Sequence, residues 1–375
     1  MSDEKHEHHA PPVLFDELPA AGGRKIGQVT LNIPSTLNSL NLEMVDLMLE
    51  KLGEWRDDDS IACVFIRGSG EKAFCAGGDV QALRASAVEN PGGPCPYAED
   101  FYHHEYRLDY LIHTYPKPVV SWGHGIVMGG GLGVFAGSSH RVVTEKSRFA
   151  MPEVTIALFP DVGGSYFLNR MPDGAGRFLG LTAANFNGTD CLFLGLAEHL
   201  VENDLRDHVL EDLQSIEWHG DAAQQVTEVL AGYDKRSGHA RPEGNVEKHM
   251  DSIHELCGDK PIEQVVEAIT GLETDDPWLA KARDGLANGS PLSVLITDRQ
   301  LREAAGKPLR EVFKSELVLA VNIVRYPEFA EGVRALLIDK DRNPQWQYKT
   351  IQDVPADVLD SFFRPPWDTN PLADI

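Results

Sequence analysis

A chain of 375 residues, 42% apolar and 25% charged, is long enough for two or three domains and has the profile of a folded globular protein, not a disordered or fibrous one. Its net charge of −24 excludes a basic nucleic-acid stripe, but not a small anionic ligand held by a few cations and backbone amides. Five scattered cysteines, at 63, 75, 95, 191 and 257, are odd in number and form no CxxC pair, which predicts free thiols in a reducing compartment.

Residues 1–12 read as a tail, and the cluster His6, His8 and His9 has no packed partner, so no metal site is expected. MSDEKHEHHA has neither the apolar core of a signal peptide nor the arginine pattern of a transit peptide, and no apolar run reaches membrane length. A cytoplasmic protein without membrane or nucleic-acid partners is expected. Alternation over Ile26–Ile33 predicts the first strand, followed by a turn at Pro34-Ser35. Asn41 is placed to cap a helix to about Trp55, with Leu42, Val45, Leu49 and Leu52 on one stripe. A strand at 62–67 leads into the turn Cys75-Ala76-Gly77-Gly78-Asp79 and a helix from Val80 to Ala87. Asn90–Pro96, rich in proline and glycine, reads as an exposed loop, either a connection or a lid. A helix over about 98–115 puts Phe101, Leu108, Leu111, Ile112 and Tyr115 on one face, with Glu105 among them. A carboxylate on an apolar stripe has two readings: an ion pair with Arg107 or another cation, or a group lining a pocket.

The apolar run Pro118–Trp122 predicts a buried strand, and Gly129-Gly130-Gly131 are read as following it directly. A strand that turns through glycines into a helix exposes N–H groups at the positive end of the helix dipole, a setting for negative oxygen. The Cys75–Asp79 turn is a second corner of this kind, and an oxyanion hole commonly draws one donor from each of two segments. Beyond Gly131 a short helix is expected to lead to a strand at 141–144 and then to Phe149–Glu153. Glu153 and Asp161 each follow a proline, and two carboxylates beside such corners suggest acid/base or acyl chemistry. Asp161 lies just before a helix expected over Ser165–Met171. That position favours its ionised form, and a helix cap is the plainer alternative role.

Leu179–Thr182, Asp190–Gly195 and His199–Val201 read as a further helix-turn-strand set. Beyond about 220, helical periodicity dominates at 243–256, 261–273, 277–287, 293–305 and 308–336. The expected organisation is therefore a core over 13–225 carrying the active site and a mainly helical region over 226–375. No internal sequence repeat is visible.

The segments KAFCAGGDV (72–80) and HGIVMGGGLG (124–133) resemble the crotonase (enoyl-CoA hydratase/isomerase) superfamily. FAMPEVTIALFPDVGGSYFL (149–168), EYRLDYL (105–111) and FAEGVRALLIDKDRNPQW (329–346) are similar to its 3-hydroxyisobutyryl-CoA hydrolase subgroup. The resemblance implies an α/β fold: a spiral of strand-strand-helix units forming two near-perpendicular sheets, then a helical C-terminal region. It implies that the backbone N–H groups of Gly78 and Gly130 form the oxyanion hole. It also implies that Glu153 and Asp161 are catalytic, and that Glu105, Gly130, Glu153 and Asp161 contact substrate. Backbone near Ala76, Asp79 and Val80 would meet the adenine of coenzyme A, which is part of the substrate, so no separate cofactor is expected. Hydratases of this superfamily carry a glutamate where this chain has Gly133, and its loss argues against hydration of a double bond.

The implied activity is hydrolysis of a short, branched 3-hydroxyacyl-CoA. The alternatives are an enoyl- or dienoyl-CoA isomerase and a non-catalytic acyl-CoA-binding protein. Many superfamily members carry a basic residue for the coenzyme's phosphates after the first strand, where this chain reads Ile33–Leu37. The resemblance also allows homo-oligomers, although the long C-terminal region could supply such contacts within one chain.

Overall fold

The computed structural model of the chain describes residues 10–375, so His6, His8 and His9 lie outside the described residues. Strands β1 (Val13–Pro19) and β2 (Lys25–Leu31) form an antiparallel hairpin. Helix α1 (Leu42–Asp57) follows, with the Asn41 side chain accepting the Met44 N–H at 2.9 Å, the predicted cap. Three strand pairs come next: β3 (Ile61–Gly68) and β4 (Ala73–Cys75), β5 (Val119–Gly123) and β6 (Ile126–Met128), β7 (His140–Val143) and β8 (Arg148–Ala150). Helices α2 (Val80–Glu89) and α3 (Pro96–His113) separate the first two pairs, and α4 (Gly130–Gly137) separates the second and third. After α5 (Gly164–Leu168) and α6 (Ala175–Thr182) come β9 (Phe186–Asn187), α7 (Gly188–Phe193) and β10 (His199–Leu200).

The first member of each pair joins one sheet and the second joins another. One sheet runs β1-β2-β3-β5-β7-β10 and the other β4-β6-β8-β9. This alternation is the strand-strand-helix spiral, repeated in structure without repetition in sequence. It is most consequential in the small sheet, where β4, β6 and β8 lie parallel and adjacent. Their C-terminal ends therefore share an edge, and so do the three loops that leave them.

Helices α8 (Arg206–Ser215) and α9 (Ala222–Ser237) cover one face of the larger sheet. There Val209, Leu213, Val226 and Leu230 pack with Ile26, Phe65, Trp122 and Val142 as one apolar cluster. The following helices are α10 (Asn245–Lys248), α11 (Met250–Cys257), α12 (Ile262–Thr270), α13 (Pro277–Asn288), α14 (Pro291–Ala304), α15 (Leu309–Val324), α16 (Pro327–Val333) and α17 (Ala356–Phe362). The segment expected as one helix over 308–336 divides at Tyr326, because Pro327 has no N–H to donate and starts α16 afresh. α15 packs on α3 and α16 on α2, so the C-terminal helices complete the wall around the loops of the small sheet. Arg325 holds Glu99 through two hydrogen bonds of 2.8 Å, tying the end of α15 to the start of α3.

β1 was not legible in sequence because it is an edge strand whose residues are mostly exposed, held by its pairing with β2 rather than by a buried stripe. β4 and β6 are three residues long, too short for alternation to register. All five cysteines are free and buried. No helix among the described residues is long and apolar enough to cross a membrane.

Candidate active site

Because β4, β6 and β8 end on one edge, the Gly77-Gly78 turn, the Gly129-Gly130 turn and Glu153 are delivered to one place. A Cβ built on Gly130 would lie 3.3 Å from the Gly78 nitrogen, and one on Gly77 would lie 3.8 Å from the Gly130 nitrogen. Among the described residues, neither the Gly78 N–H nor the Gly130 N–H has an acceptor. Two unspent amides side by side, one buried and one half-buried, are donors waiting for an external oxygen. The neighbouring amides are committed elsewhere. Ala76 N–H donates to the Leu37 carbonyl (3.0 Å), Asp79 N–H to Leu40 (2.7 Å) and Val80 N–H to Gly78 (2.8 Å). The Asp79 carboxylate accepts the Ala82 N–H at 3.2 Å and caps α2.

Glu153 follows β8 as the first residue of a 3-10 turn, Glu153–Ile156. It is 4% exposed, its Oε1 lies 3.0 Å from where a Cβ on Gly129 would sit, and its Oε2 has no partner. Gly129 has φ +48° and ψ −127°, a conformation open to glycine alone, and this lets the turn pass beneath the carboxylate. Burial pushes Glu153 well above the ordinary carboxylate range, and the charge of Asp161 adds to the effect.

Glu105 also belongs to this place. Its Oε1 lies against Gly130, without a hydrogen-bond partner, and its side chain is sequestered from solvent. The ion pair with Arg107 is not formed, since Arg107 points outward to Asp374 (3.0 Å) and the Pro371 carbonyl (3.0 Å). One residue along a helix turns the side chain by about 100°, so Glu105 and Arg107 leave opposite sides of α3. Burial, then the charges of Asp109, Asp161 and Glu153, push Glu105 well upward.

Asp161 is 4% exposed and accepts a hydrogen bond from the Tyr106 hydroxyl at 2.6 Å. Two expectations for it are corrected. It does not cap α5, whose N-cap is Gly163, and it is not held in its ionised form by the helix, because burial pushes it up to about 6. The donors at the start of α5 are taken by Glu316 of α15, which accepts the Gly163 N–H (2.7 Å) and the Ser165 N–H (2.9 Å). Glu316 is itself fully buried, and burial pushes it up to about 8 in spite of those donors. Between Asp161 and Gly163, Val162 adopts φ +54°, a strained conformation for a β-branched residue that persists only where its surroundings over-determine it. The two hydrogen bonds to Glu316 supply that constraint.

Tyr106, Asp109 and Glu316 are site residues that sequence reasoning missed. Asp109 had a signal, since it lies four residues after Glu105 on the same buried face of α3. Tyr106 and Glu316 had none, because their partners are 55 and 153 residues away. The rings of Phe101, Tyr102, Tyr106 and Phe313 contact one another in sequence and form an apolar wall beside the acids. Gly133 offers no room for a side chain: a Cβ there would meet Val162 Cβ at 2.6 Å and Asp109 Oδ2 at 2.8 Å. Among the described residues, no group of three or more His, Cys, Asp or Glu side chains is arranged to hold a metal ion.

The arrangement, two free amides facing one gap with a buried carboxylate beside it, can stabilise a developing oxyanion while an acid or base acts on the same centre. The family model for enoyl-CoA hydratase/isomerase matches residues 26–363. The chain is 35% identical over 362 residues to the Gallus gallus protein named 3-hydroxyisobutyryl-CoA hydrolase, mitochondrial, covering 96% of this chain and 91% of that one. It is 39% identical to the protein of the same name from Xenopus tropicalis, covering 90% and 86%. Among solved structures, a carnitinyl-CoA dehydratase from Mycobacterium thermoresistibile superposes with TM-score 0.84 at 34% identity, covering 96% of this chain and 98% of that one. An enoyl-CoA hydratase from Rhodobacter sphaeroides 2.4.1 superposes with TM-score 0.81 at 30% identity, covering 95% and 98%. The matched span takes in both glycine corners, Glu153, Asp161 and Glu316, and the chain belongs to the enoyl-CoA hydratase/isomerase family.

Proposed function

We propose that this protein hydrolyses the thioester of a short, branched 3-hydroxyacyl-CoA, with 3-hydroxyisobutyryl-CoA as substrate and 3-hydroxyisobutyrate and CoA as products. The observation that carries this reading is the convergence of two unspent amides, Gly78 and Gly130, on the gap beside Glu153. The thioester oxygen accepts from both amides, and the negative charge it gains as the carbonyl carbon becomes tetrahedral is met there. Glu153 acts on that carbon. It either attacks directly, expelling CoA as the thiolate to leave a mixed anhydride that water then opens, or removes a proton from an attacking water, with CoA leaving as the thiolate when the tetrahedral adduct collapses. Burial makes the ionised carboxylate a stronger base and nucleophile while reducing the fraction ionised near neutral pH. The curated relatives named above carry the same activity in their names.

The names of the two solved structures point instead to hydration and dehydration of a double bond. That chemistry in this superfamily uses a second acid at the Gly133 position, and here Val162 and Asp109 fill the space such a side chain would need. The discriminating experiment is thiol release from 3-hydroxyisobutyryl-CoA by the purified chain. Absence of thiol above background, with migration of a double bond in an enoyl-CoA, would replace hydrolysis with isomerisation; CoA binding without turnover of any thioester would leave a binding protein.

Asp161 with Tyr106 forms the pair that takes the substrate hydroxyl: the carboxylate accepts its hydrogen bond and the phenol fixes the carboxylate's orientation. Asp161→Asn is expected to lower kcat/KM for the hydroxylated thioester by about 10²-fold or more, since a site built around a hydroxyl is left with mismatched polar groups. Affinity for CoA itself, measured by calorimetry, is expected to stay within about threefold, because in this reading the Asp161 side chain meets the acyl group and not the coenzyme. Equal losses in both would contradict this role. Glu316→Gln offers one acceptor where two N–H groups need two. The kcat of thiol release is expected to fall about tenfold with KM nearly unchanged, as loss of one hydrogen bond releases the Asp161 loop. An unaltered kcat would remove Glu316 from the support of the site.

In the same reading, contact with the coenzyme's adenine near Ala76, Asp79 and Val80 runs through carbonyl groups, since their N–H groups are donated internally. No cofactor beyond the CoA of the substrate takes part. A cytoplasmic location belongs to this reading as well. The vertebrate relatives carry the word mitochondrial in their names, and fractionation of cells expressing the full chain distinguishes the two. Homo-oligomer formation is measured by light scattering on the purified chain.

A further inference from the structure

Asp109 lies one helical turn beyond Glu105 on α3 and is 0% exposed, yet neither of its carboxylate oxygens has a hydrogen-bond partner. An ionised carboxylate with no donor in an apolar site is among the costliest arrangements a fold can hold. The groups around it offer no compensation. On its own helix it shares the buried face with Glu105, on which its charge acts, and the next turn carries His113, which burial pulls down to about 4, so it is neutral. Across the site it faces Asp161 and Glu316, both acids, with the Tyr106 hydroxyl beyond Asp161. α4 carries no titratable side chain, Arg84 of α2 is turned to the Ala330 carbonyl, and the α1 acids Glu43, Asp46 and Glu50 line an outer cleft. Arg141, whose charge reaches His113, is tied to Glu198.

Glu105 in turn lies against Gly130, at the corner that receives the thioester oxygen. An ionised carboxylate there would repel the oxyanion that the two amides are placed to stabilise, whereas a carboxylic acid would donate to it. Two acids one turn apart in the same buried site do not both ionise near neutral pH, because each charge raises the cost of the other.

We propose that Asp109 is a positioning residue of this site. The Glu105–Asp109 pair retains a proton at neutral pH and presents Glu105 to the thioester oxygen as a hydrogen-bond donor, a third beside the Gly78 and Gly130 amides. Asp109 keeps this proton on Glu105 by acting from the place a side chain on Gly133 would have filled, which gives one reason that position is glycine. The inference rests on the hydrolase reading for the identity of the oxygen that receives the hydrogen bond.

Asp109→Asn removes the acid whose ionisation competes with that of Glu105, so Glu105 gives up its proton at lower pH than in the wild type. The alkaline limb of kcat/KM for thiol release is therefore expected to move down by about one pH unit, giving about a tenfold loss on that limb and near wild-type rates at pH 6. Asp109→Ser, which is smaller and cannot overpack the site, is expected to move the limb in the same direction. Glu105→Gln, a permanent neutral donor, is expected to abolish the limb. Unshifted limbs in both Asp109 variants, or equal loss at every pH in both, would overturn the proposal. Absence of thiol release from the wild type in the same buffers would instead sink the hydrolase reading, so the two failures are distinguishable.

Discussion

Glu153→Gln is expected to lower thiol release from 3-hydroxyisobutyryl-CoA by about 10³-fold or more, the scale of losing a nucleophile or base from a site whose remaining parts stay in place. The amide keeps the shape of the side chain, and the Gly129 turn beneath it has room for the same volume. The same variant is expected to be more thermostable than the wild type at neutral pH. An acid whose folded pKa is raised binds its proton more tightly folded than unfolded. Such a group stabilises the fold at low pH and loses that contribution as pH rises through the folded value. Asp161 shows the window, from its ordinary 3.8 to about 6, and Glu153 is displaced in the same direction by burial first and by Asp161 second. At pH 7.5 a neutral residue at 153 escapes that cost, so a melting scan should rise by a few degrees there and show little difference at pH 4. Unchanged turnover would remove Glu153 from the chemistry. A melting temperature lowered at pH 7.5 would show that its carboxylate is held by favourable contacts this structure does not contain.

Gly130→Ala is expected to lower kcat by about 10²-fold to 10³-fold, the scale of removing one oxyanion donor from a hydrolase. The added Cβ would lie 3.3 Å from the Gly78 nitrogen and closer still to Glu105 Oε1, so the methyl group occupies the place of the thioester oxygen's donors. Backbone strain is not the cause, since Gly130 lies in the first turn of α4 with ordinary helical geometry. Far-UV circular dichroism should therefore match the wild type while thiol release falls. Full activity would mean that the two amides do not receive the thioester oxygen together. As a control, Gly53→Ala on α1 meets nothing within 4 Å and should leave the rate unchanged.

Much of the architecture was legible because its signals are local. Asn41 capped α1 as a short polar residue before an apolar stripe should. The longer strand upstream of each glycine corner, β3 or β5, announced itself as an apolar run, and the helical periodicity beyond 240 returned as α10 to α16. What failed did so for definable reasons. An edge strand with solvent on its residues carries no buried stripe, and three-residue strands carry no period. Helical periodicity also runs through a Tyr-Pro step that the backbone cannot follow.

The site divides along the same line. The sequence by itself determined which residue types meet at each corner: glycines that leave amides free, and acids placed after prolines at 153 and 161. It could not say that β4, β6 and β8 would lie parallel and adjacent, and that pairing alone brings three loops to one edge. Nor could it assign protonation. A carboxylate before a helix reads as ionised on local grounds, yet Glu316 takes the α5 donors from 153 residues away and burial sets the balance for Asp161. Hydrogen-bond propensity and periodicity act over a few residues and are written in order along the chain. Desolvation and charge depend on everything within several ångströms, and only the folded chain decides what that is.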